Sequence, residues 1–106
     1  MGNHREHIIA AIEAKAQQVV PKDATIVLFG SQARDDAHSG SDWDILILLN
    51  KKRIELNDYD EIAYPLRELG WDLGEIINPI LYSFDDWQKQ SITPFYKNVT
   101  RDSIRL

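Results

Sequence analysis

Ser41-Asp42-Trp43-Asp44-Ile45-Leu46-Ile47-Leu48-Leu49 is the stretch that decides the fold and the chemistry of this chain. The run of five apolar residues after Asp44 is typical of a buried β-strand. Because side chains alternate along a strand, Asp42 and Asp44 would share one face, about 6.6 Å apart along the chain, while Trp43 would point to the other. Aspartate is disfavoured inside strands, so two aspartates at the mouth of this one require an explanation.

A divalent cation would explain the pair of aspartates. Two carboxylates on one face repel each other, and both would repel a triphosphate. Mg²⁺ takes carboxylate oxygens on one side and phosphate oxygens on the other, and it completes its octahedron with water. Two such ions about 3.5–4 Å apart can stabilise both the attacking and the leaving oxygen of an in-line displacement. Asp42 and Asp44 are therefore candidate metal ligands and catalytic residues. The alternative is that they only cap and solvate the start of a strand.

The segment before the aspartates supplies a candidate phosphate site. Residues 24–29 are rich in β-branched and aromatic side chains, which predicts a second buried strand that ends at Gly30. Ser31 suits the N-cap of a short helix over residues 32–35. Glycine lets a ligand approach the backbone closely, and the N–H groups at a helix start can bind an anion together with the Ser31 hydroxyl. An ordinary strand-turn-helix connection is the alternative.

The combination is more specific than its parts. Gly30-Ser31, ten further residues and then Asp42-Trp43-Asp44 with an apolar strand resemble the signature of the minimal nucleotidyltransferases, which belong to the DNA-polymerase-β-like nucleotidyltransferase superfamily. The pattern of that family is Gly-Ser, ten residues and Asp-x-Asp, and residues 32–41 supply all ten. Residues 75–83 and 94–99 resemble the later strand and the tail of small members, so the resemblance covers essentially the whole chain.

The resemblance implies a role for each of these residues. Gly30 and Ser31 would contact the triphosphate of ATP or another nucleoside triphosphate. Asp42 and Asp44 would hold Mg²⁺, with two ions expected. The reaction implied is attack of an acceptor hydroxyl on the α-phosphorus, with pyrophosphate leaving. Catalysis would consist mainly of positioning and charge neutralisation.

Two further residues are assigned with alternatives left open. The family usually has a third carboxylate on a later strand, which acts as general base or binds the second ion. Glu75 is the candidate for this catalytic and metal-binding role, although the commoner residue is Asp, and Asp72 is the alternative. Arg34, in the first turn of the short helix, would either contact phosphate or orient one of the aspartates.

Bulk properties limit the class of protein. A chain of 106 residues fits a single domain over residues 1–106 with one core. The net charge is −5, from 17 acidic against 12 basic residues, so no long nucleic acid is expected as a partner. The absence of cysteine excludes disulfides and thiolate metal sites. No apolar run approaches the roughly 20 residues of a membrane span, and no leader is recognised, so a cytoplasmic protein without a membrane anchor is expected.

Hydrophobic periodicity predicts two longer helices. Apolar residues at helical spacing predict an amphipathic helix over about residues 3–20, ended by Pro21. A second helical pattern runs over residues 59–69, with Gly70 as a plausible C-cap. Pro65 within this pattern implies a kink or a later start of the helix.

The remaining elements complete an α/β (α+β) fold. A strand is predicted over residues 75–82, and Ser83 with Asp86 resembles a capping box that opens a short helix. The order αβαβαβα suggests a small mixed β-sheet with helices packed largely on one face, the polymerase-β-like nucleotidyltransferase fold. The strands that contain Ile26 and Asp44 would lie side by side, which would bring Gly30 next to the carboxylates.

Aromatic residues of the second half have two interpretations. Most are expected in the core, and the alternative is an exposed apolar patch for a partner. The residues concerned are Trp71, Phe84, Trp87, Phe95 and Tyr96. Within the family that the chain resembles, small members are commonly paired with a helical HEPN-domain partner in toxin–antitoxin modules, and some transfer AMP from ATP to a tyrosine of that toxin.

The leading functional hypothesis is an Mg²⁺-dependent nucleotidyltransferase that modifies a partner protein, in an antitoxin role. The alternative is a binding module, without catalysis or with weak catalysis, that neutralises a HEPN-type partner by docking. A sugar transferase that uses Asp-x-Asp for a nucleotide-sugar is a weaker third idea, because the Gly-Ser spacing and the short chain argue against it. The nucleotide base, the acceptor and the oligomeric state, including a homo-oligomer, are left open.

Overall fold

The first element is the long N-terminal helix that the sequence predicts. A computed structural model describes residues 4–34 and 40–106 of the chain. Helix α1 spans His4–Val19, and it buries Ile8, Ile12 and Ala16 on one side. Pro21 comes two residues after the end of the helix, where it cannot continue a helix. Within the described ranges, no helix is both long and apolar enough to cross a membrane.

A four-stranded mixed sheet forms the centre of the molecule. The strands are β1 (Thr25–Phe29), β2 (Trp43–Leu49), β3 (Ile77–Ser83) and β4 (Ile104–Arg105). Their order in the sheet is β3-β2-β1-β4. Strand β1 is antiparallel to β2 and β4, whereas β2 and β3 are parallel. The predicted small mixed sheet, with the first two strands side by side, is confirmed. The two-residue strand β4 is too short to give a sequence signal.

Helices connect and cover these strands. After β1 comes α2 (Ser31–Arg34), and after β3 come α5 (Phe84–Lys89) and α6 (Pro94–Asp102). Between β2 and β3 lie α3 (Leu56–Asp58), a π-helical segment (Tyr59–Ala63) and α4 (Tyr64–Leu73). Asp86 donates its backbone N–H to Ser83 Oγ at 3.1 Å, so the predicted capping of α5 by Ser83 is confirmed.

Helix α4 shows how local geometry decided two uncertain predictions. Pro65 lies in the first turn of α4, directly after the π-helical segment, and the residues before it already have helical dihedral angles. The helix therefore does not begin later than expected, and the proline is accommodated where the hydrogen-bond pattern changes. The prediction of Gly70 as the C-cap is wrong, because the helix continues to Leu73 and Gly74 caps it with φ +71°. A Cβ at Gly70 would lie 2.9 Å from the Glu75 backbone oxygen, so this glycine serves the close approach of helix and strand.

Two apolar clusters cover the two faces of the sheet. The α1 face carries Ile45 and Ile47 of β2 and packs against α1, the π-helical segment and α4. The α6 face carries Leu46 and Leu48 and packs against Trp87 of α5 and residues of α6. The longer helices therefore lie on one face, as predicted, and the shorter α5 and α6 cover part of the other.

The aromatic residues divide between core and surface. Trp87 is buried, and it gathers the rings of Phe84, Phe95 and Tyr96 into the cluster on the α6 face. Trp71 behaves differently: it is 62% exposed on α4, where it contacts only the edge of another exposed ring, Tyr64, among the aromatic pairs of the described residues. The core interpretation holds for the four residues after β3, whereas Trp71 is exposed, and a partner that contacts it stays a prediction.

Candidate functional site

Asp44 lies where the apolar cover of the α6 face ends. By strand alternation it shares that face with Leu46 and Leu48, which are buried. Phe29 of β1 lies directly opposite Asp44 in the strand register, and Phe95 of α6 packs edge-to-face on Phe29 with ring centroids 5.7 Å apart. The carboxylate of Asp44 is therefore partly buried at the border of the aromatic cluster.

Asn78 of β3 is the neighbour of Asp44 on the other side. The two residues are paired in the parallel register of β2 and β3, and Asn78 Nδ2 donates a hydrogen bond to Asp44 Oδ1 at 3.1 Å. Sequence reasoning missed Asn78. The available signal was its position two residues before Ile80 in an alternating strand, which places a polar amide on the same face as the apolar residues that follow.

Gly30 packs directly against the second oxygen of the same carboxylate. Its φ is +76°, a left-handed conformation that glycine adopts without strain. A Cβ at this position would lie 2.5 Å from Asp44 Oδ2, which is closer than non-bonded atoms approach. Glycine is therefore required here for two independent reasons. The structure brings the Gly30 turn and Asp44 together, as the antiparallel pairing of β1 and β2 predicts.

Asp42 contributes to the same electrostatic environment. It is exposed and directly precedes β2. Partial burial raises the pKa of Asp44 above its ordinary value, the hydrogen bond from Asn78 opposes this rise, and the nearby negative charge of Asp42 adds to it. The two carboxylates are thus close enough to repel each other, which is the situation that a cation relieves.

The donor set fits a hard divalent cation. The carboxylates of Asp42 and Asp44 lie near enough to interact electrostatically, and Gly30, which packs against Asp44, has no side chain that would displace the Asp44 carboxylate. Oxygen ligands of this kind suit Mg²⁺. Across residues 4–34 and 40–106, no three acidic, histidine or cysteine side chains cluster closely enough to hold a metal. In these described ranges, the carboxylates of Asp42 and Asp44 would therefore fill only some of the coordination positions of a divalent cation.

Gln32 ties the turn to the segment that carries the aspartates. Its side chain is only 7% exposed, and Nε2 donates to the Ser41 backbone oxygen at 3.4 Å. The backbone oxygen of Gln32 accepts a hydrogen bond from Arg5 Nη2 of α1 at 2.9 Å. Helix α2 is therefore held from two sides, and the residue before Asp42 is fixed to it. From the sequence, Gln32 could be placed only within the short helix. The end of that predicted helix, Asp35, lies outside the described residues.

Arg34 reaches towards helix α6. Its Nη1 lies 3.8 Å from Asp102 Oδ2, and its side chain is about half exposed. Asp102 also accepts a hydrogen bond from Arg101 Nε at 3.0 Å. This contact of Arg34 therefore involves a carboxylate of α6 and neither of the two aspartates that it was expected to orient.

Glu75 is the predicted site residue that the structure does not bring to Asp44. Its Oε1 accepts a hydrogen bond from Trp43 Nε1 at 2.7 Å, and its Oε2 lies 3.2 Å from His4 Nε2. Trp43 packs into the cluster on the α1 face, opposite Asp44. The prediction of Glu75 as third carboxylate is not supported, because β3 begins at Ile77 and places Asn78 in register with Asp44. Asp72, the alternative, is an exposed residue of α4.

Comparison with known proteins assigns the family. A family model described as nucleotidyltransferase domain matches residues 9–101, which include Gly30, Ser31, Asp42, Asp44 and Asn78. The chain belongs to this nucleotidyltransferase family. The transferase assignment expected from the Gly-Ser and Asp-x-Asp pattern is thereby confirmed.

Solved structures support the same fold for this nucleotidyltransferase. One, proposed to be a minimal nucleotidyltransferase, is 26% identical with a TM-score of 0.66, and the match covers 99% of this chain and 100% of that chain. The crystal structure of a toxin–antitoxin with AMP-PNP is 21% identical with a TM-score of 0.65, and the match covers 91% of this chain and 69% of that chain. Among curated proteins, no significant match was found.

Proposed function

We propose that this nucleotidyltransferase transfers AMP from ATP to a hydroxyl group of a partner protein, with Mg²⁺ held by Asp42 and Asp44. The observation that carries the proposal is the packing of the Asp44 carboxylate against the side-chain-free turn at Gly30, with the like charge of Asp42 nearby. A cation would relieve the repulsion between the two carboxylates, and the missing side chain at Gly30 leaves room for the Asp44 carboxylate that would hold the cation.

Each residue of the site has a defined task in this proposal. Asp42 and Asp44 bind the cation, and Gly30 and Ser31 contact the triphosphate. Arg34 forms a second phosphate contact, because its guanidinium is about half exposed and its ion pair with Asp102, at 3.8 Å, is long and can be exchanged for a phosphate. Bound Mg²⁺, with two ions in the proposal, would neutralise the charge of the triphosphate and of the leaving pyrophosphate.

The reaction is a displacement at the α-phosphorus. The acceptor oxygen forms a bond to this phosphorus, the bond to the oxygen of pyrophosphate breaks, and the acceptor hydroxyl loses its proton. The protein contributes mainly by holding donor and acceptor in line. Glu75 has no part in the transfer, since it lies with Trp43 on the α1 face.

The partner is proposed to be a HEPN-type toxin that the transfer silences. The supporting observation is the structural likeness to a toxin–antitoxin solved with AMP-PNP, an analogue of ATP. Trp71 and Tyr64 form an exposed aromatic pair on α4, which is suited to contact with another protein.

A transfer assay tests the proposal. Protein, Mg²⁺, α-labelled ATP and a candidate HEPN protein are incubated, and both pyrophosphate release and labelling of the partner are measured. We expect Asp44→Asn to lower the rate by about a thousandfold, because the charge stabilisation by a metal is worth several kcal/mol. Asp60→Asn removes the charge of an exposed aspartate in the π-helical segment and serves as the matched control. The proposal fails if no pyrophosphate appears and Asp42→Asn binds ATP–Mg²⁺ as well as the parent.

A docking function without transfer is the second candidate. The observation that favours it is Asn78, whose neutral amide cannot accept a proton at the position next to Asp44. Neutralisation of the partner by Asp44→Asn decides between the two. Undiminished neutralisation, with an intact complex, would support docking, whereas loss of neutralisation in an intact complex would support transfer.

A further inference from the structure

The two oxygens of Asp44 have different protein neighbours. Oδ1 accepts the hydrogen bond from Asn78 Nδ2, and Oδ2 faces the backbone of Gly30. The donor is anchored in the middle of the sheet, because β2 and β3 are parallel and paired from Trp43 with Ile77 to Leu49 with Ser83. The amide is therefore built into the site by the strand register and does not depend on a loop.

We propose that Asn78 is a positioning residue that fixes the carboxylate of Asp44 and, because it is neutral, makes divalent cation binding depend on the nucleotide. This inference rests on the proposed function. A cation that finds two carboxylates at this point completes its coordination with phosphate oxygens, so the metal and the nucleotide bind as a unit. Asn78 does not itself touch the reacting atoms in this account.

The geometry explains why the amide matters. In an octahedron with Mg²⁺–oxygen distances of about 2.1 Å, adjacent ligands lie roughly 3.0 Å apart. The Asn78 nitrogen lies 3.1 Å from Asp44 Oδ1, which is the same spacing. A carboxylate at position 78 would place an anionic oxygen beside Asp44 as an additional cation ligand. The amide nitrogen of Asn78 instead donates a hydrogen bond to Asp44.

The electrostatics point in the same direction. Asp44 already experiences the negative charge of Asp42 while it is partly buried. A further carboxylate at position 78 would add repulsion in the absence of a cation and attraction in its presence. The native amide does neither, and it stabilises the ionised form of Asp44 by its hydrogen bond.

Manganese binding with and without nucleotide tests the proposal. Free Mn²⁺ is measured by electron paramagnetic resonance against the full chain, first alone and then with AMP-PNP. We expect the parent to bind Mn²⁺ about tenfold or more tightly with AMP-PNP than without it. Asn78→Asp should bind Mn²⁺ about tenfold more tightly than the parent without nucleotide, in the range expected for a change at a metal site.

Two further variants keep the result interpretable. Asn78→Ala should weaken Mn²⁺–AMP-PNP binding by about tenfold, because the oriented hydrogen bond to Asp44 is lost. Asn57→Asp, at an exposed position of α3, introduces the same charge away from Asp44 and should behave as the parent does. Thermal unfolding without metal shows whether each Asn78 variant is folded. If one of the two has lost the fold, the metal binding of the other tests the proposal.

The outcomes separate this inference from the function on which it rests. A parent that binds neither Mn²⁺ nor AMP-PNP contradicts the proposed function itself. A parent that binds both, together with folded Asn78→Ala and Asn78→Asp variants of parental affinity, overturns only the role of Asn78. Tight Mn²⁺ binding by the parent without nucleotide also overturns it.

Discussion

The two faces of the sheet differ in how they treat polar groups. On the α1 face, Trp43 is only 2% exposed, and its Nε1 is paired with Glu75, which also contacts His4. On the α6 face, Asp44 is only partly buried, and its charge lies near the like charge of Asp42. The α1 face pairs its polar groups within the protein, whereas on the α6 face the charge of Asp44 stays close to the like charge of Asp42, and we propose that a cation binds there.

The same strand serves both purposes through its alternation. Trp43 anchors β2 in the core on one side, and this places its neighbours Asp42 and Asp44 towards the opposite side. A mutation on the α1 face should therefore act through stability, and a mutation on the α6 face should act on binding and transfer. The predictions below are tests of this distinction.

Gly30→Ala should have the largest effect, on stability and transfer together. A Cβ there lies 2.5 Å from Asp44 Oδ2, and φ is +76°. We expect destabilisation by about 1–3 kcal/mol and loss of Mn²⁺–AMP-PNP binding. Gly74→Ala is the matched control, with φ +71° and no atom within 4 Å of its Cβ. It should lose about 1 kcal/mol and keep parental binding. Equal loss of binding in both variants, measured by calorimetry beside urea unfolding, would contradict the account.

Glu75→Gln should have a smaller effect, and on stability alone. The amide oxygen of Gln can still accept the hydrogen bond from Trp43, so the expected loss is below about 1 kcal/mol. Glu75→Ala should lose about 1–2 kcal/mol, and both variants should keep transfer rates within about threefold of the parent. A hundredfold slower reaction of Glu75→Gln, in the pyrophosphate assay, would instead restore Glu75 as a catalytic carboxylate and erase the distinction between the faces.

Asp58→Asn should affect stability alone, outside the Asp44 site, and its effect should depend on pH. Burial raises the pKa of Asp58, but the hydrogen bonds from Lys51 Nζ and the Glu55 backbone N–H outweigh it and hold the pKa below the ordinary value. The ionised group therefore stabilises the fold above about pH 4, and this stabilisation disappears as the pH falls through the lowered pKa.

Urea unfolding at several pH values measures this contribution. At pH 7, Asp58→Asn should lose about 1 kcal/mol, as for the loss of a helix cap, and the difference from the parent should shrink below pH 4. Binding of Mn²⁺–AMP-PNP should not change. A constant stability difference between pH 7 and pH 3 would show that the ionised form of Asp58 is not what stabilises α3.

Most of the fold could be predicted because it is encoded locally. The helical spacing of Ile8, Ile12 and Ala16 identifies the buried side of α1, and the apolar run after Asp44 identifies β2. Gly74 was missed because Gly70, four residues earlier, carries the same type of signal. A sequence pattern does not distinguish a glycine that ends a helix from one that admits a neighbouring strand.

The site could be predicted only for residues that lie close together in the sequence. Gly30 and the aspartates follow from adjacent strands, but the partner of Asp44 on β3 depends on a register between strands 34 residues apart. Because Trp43 pairs with Ile77, Asn78 lies beside Asp44, and a register shift of three residues would be needed to bring Glu75 there. Such a shift moves side chains between environments, and pairing of distant strands is not visible in local patterns.

A crystal structure of the full chain with Mn²⁺ and AMP-PNP is the most direct test of the central idea that the α6 face holds a cation. The expected result is anomalous scattering from manganese within about 2.5 Å of a carboxylate oxygen of both Asp42 and Asp44, with the triphosphate against Gly30. Manganese found elsewhere, with the two carboxylates bound only to protein groups, would contradict it.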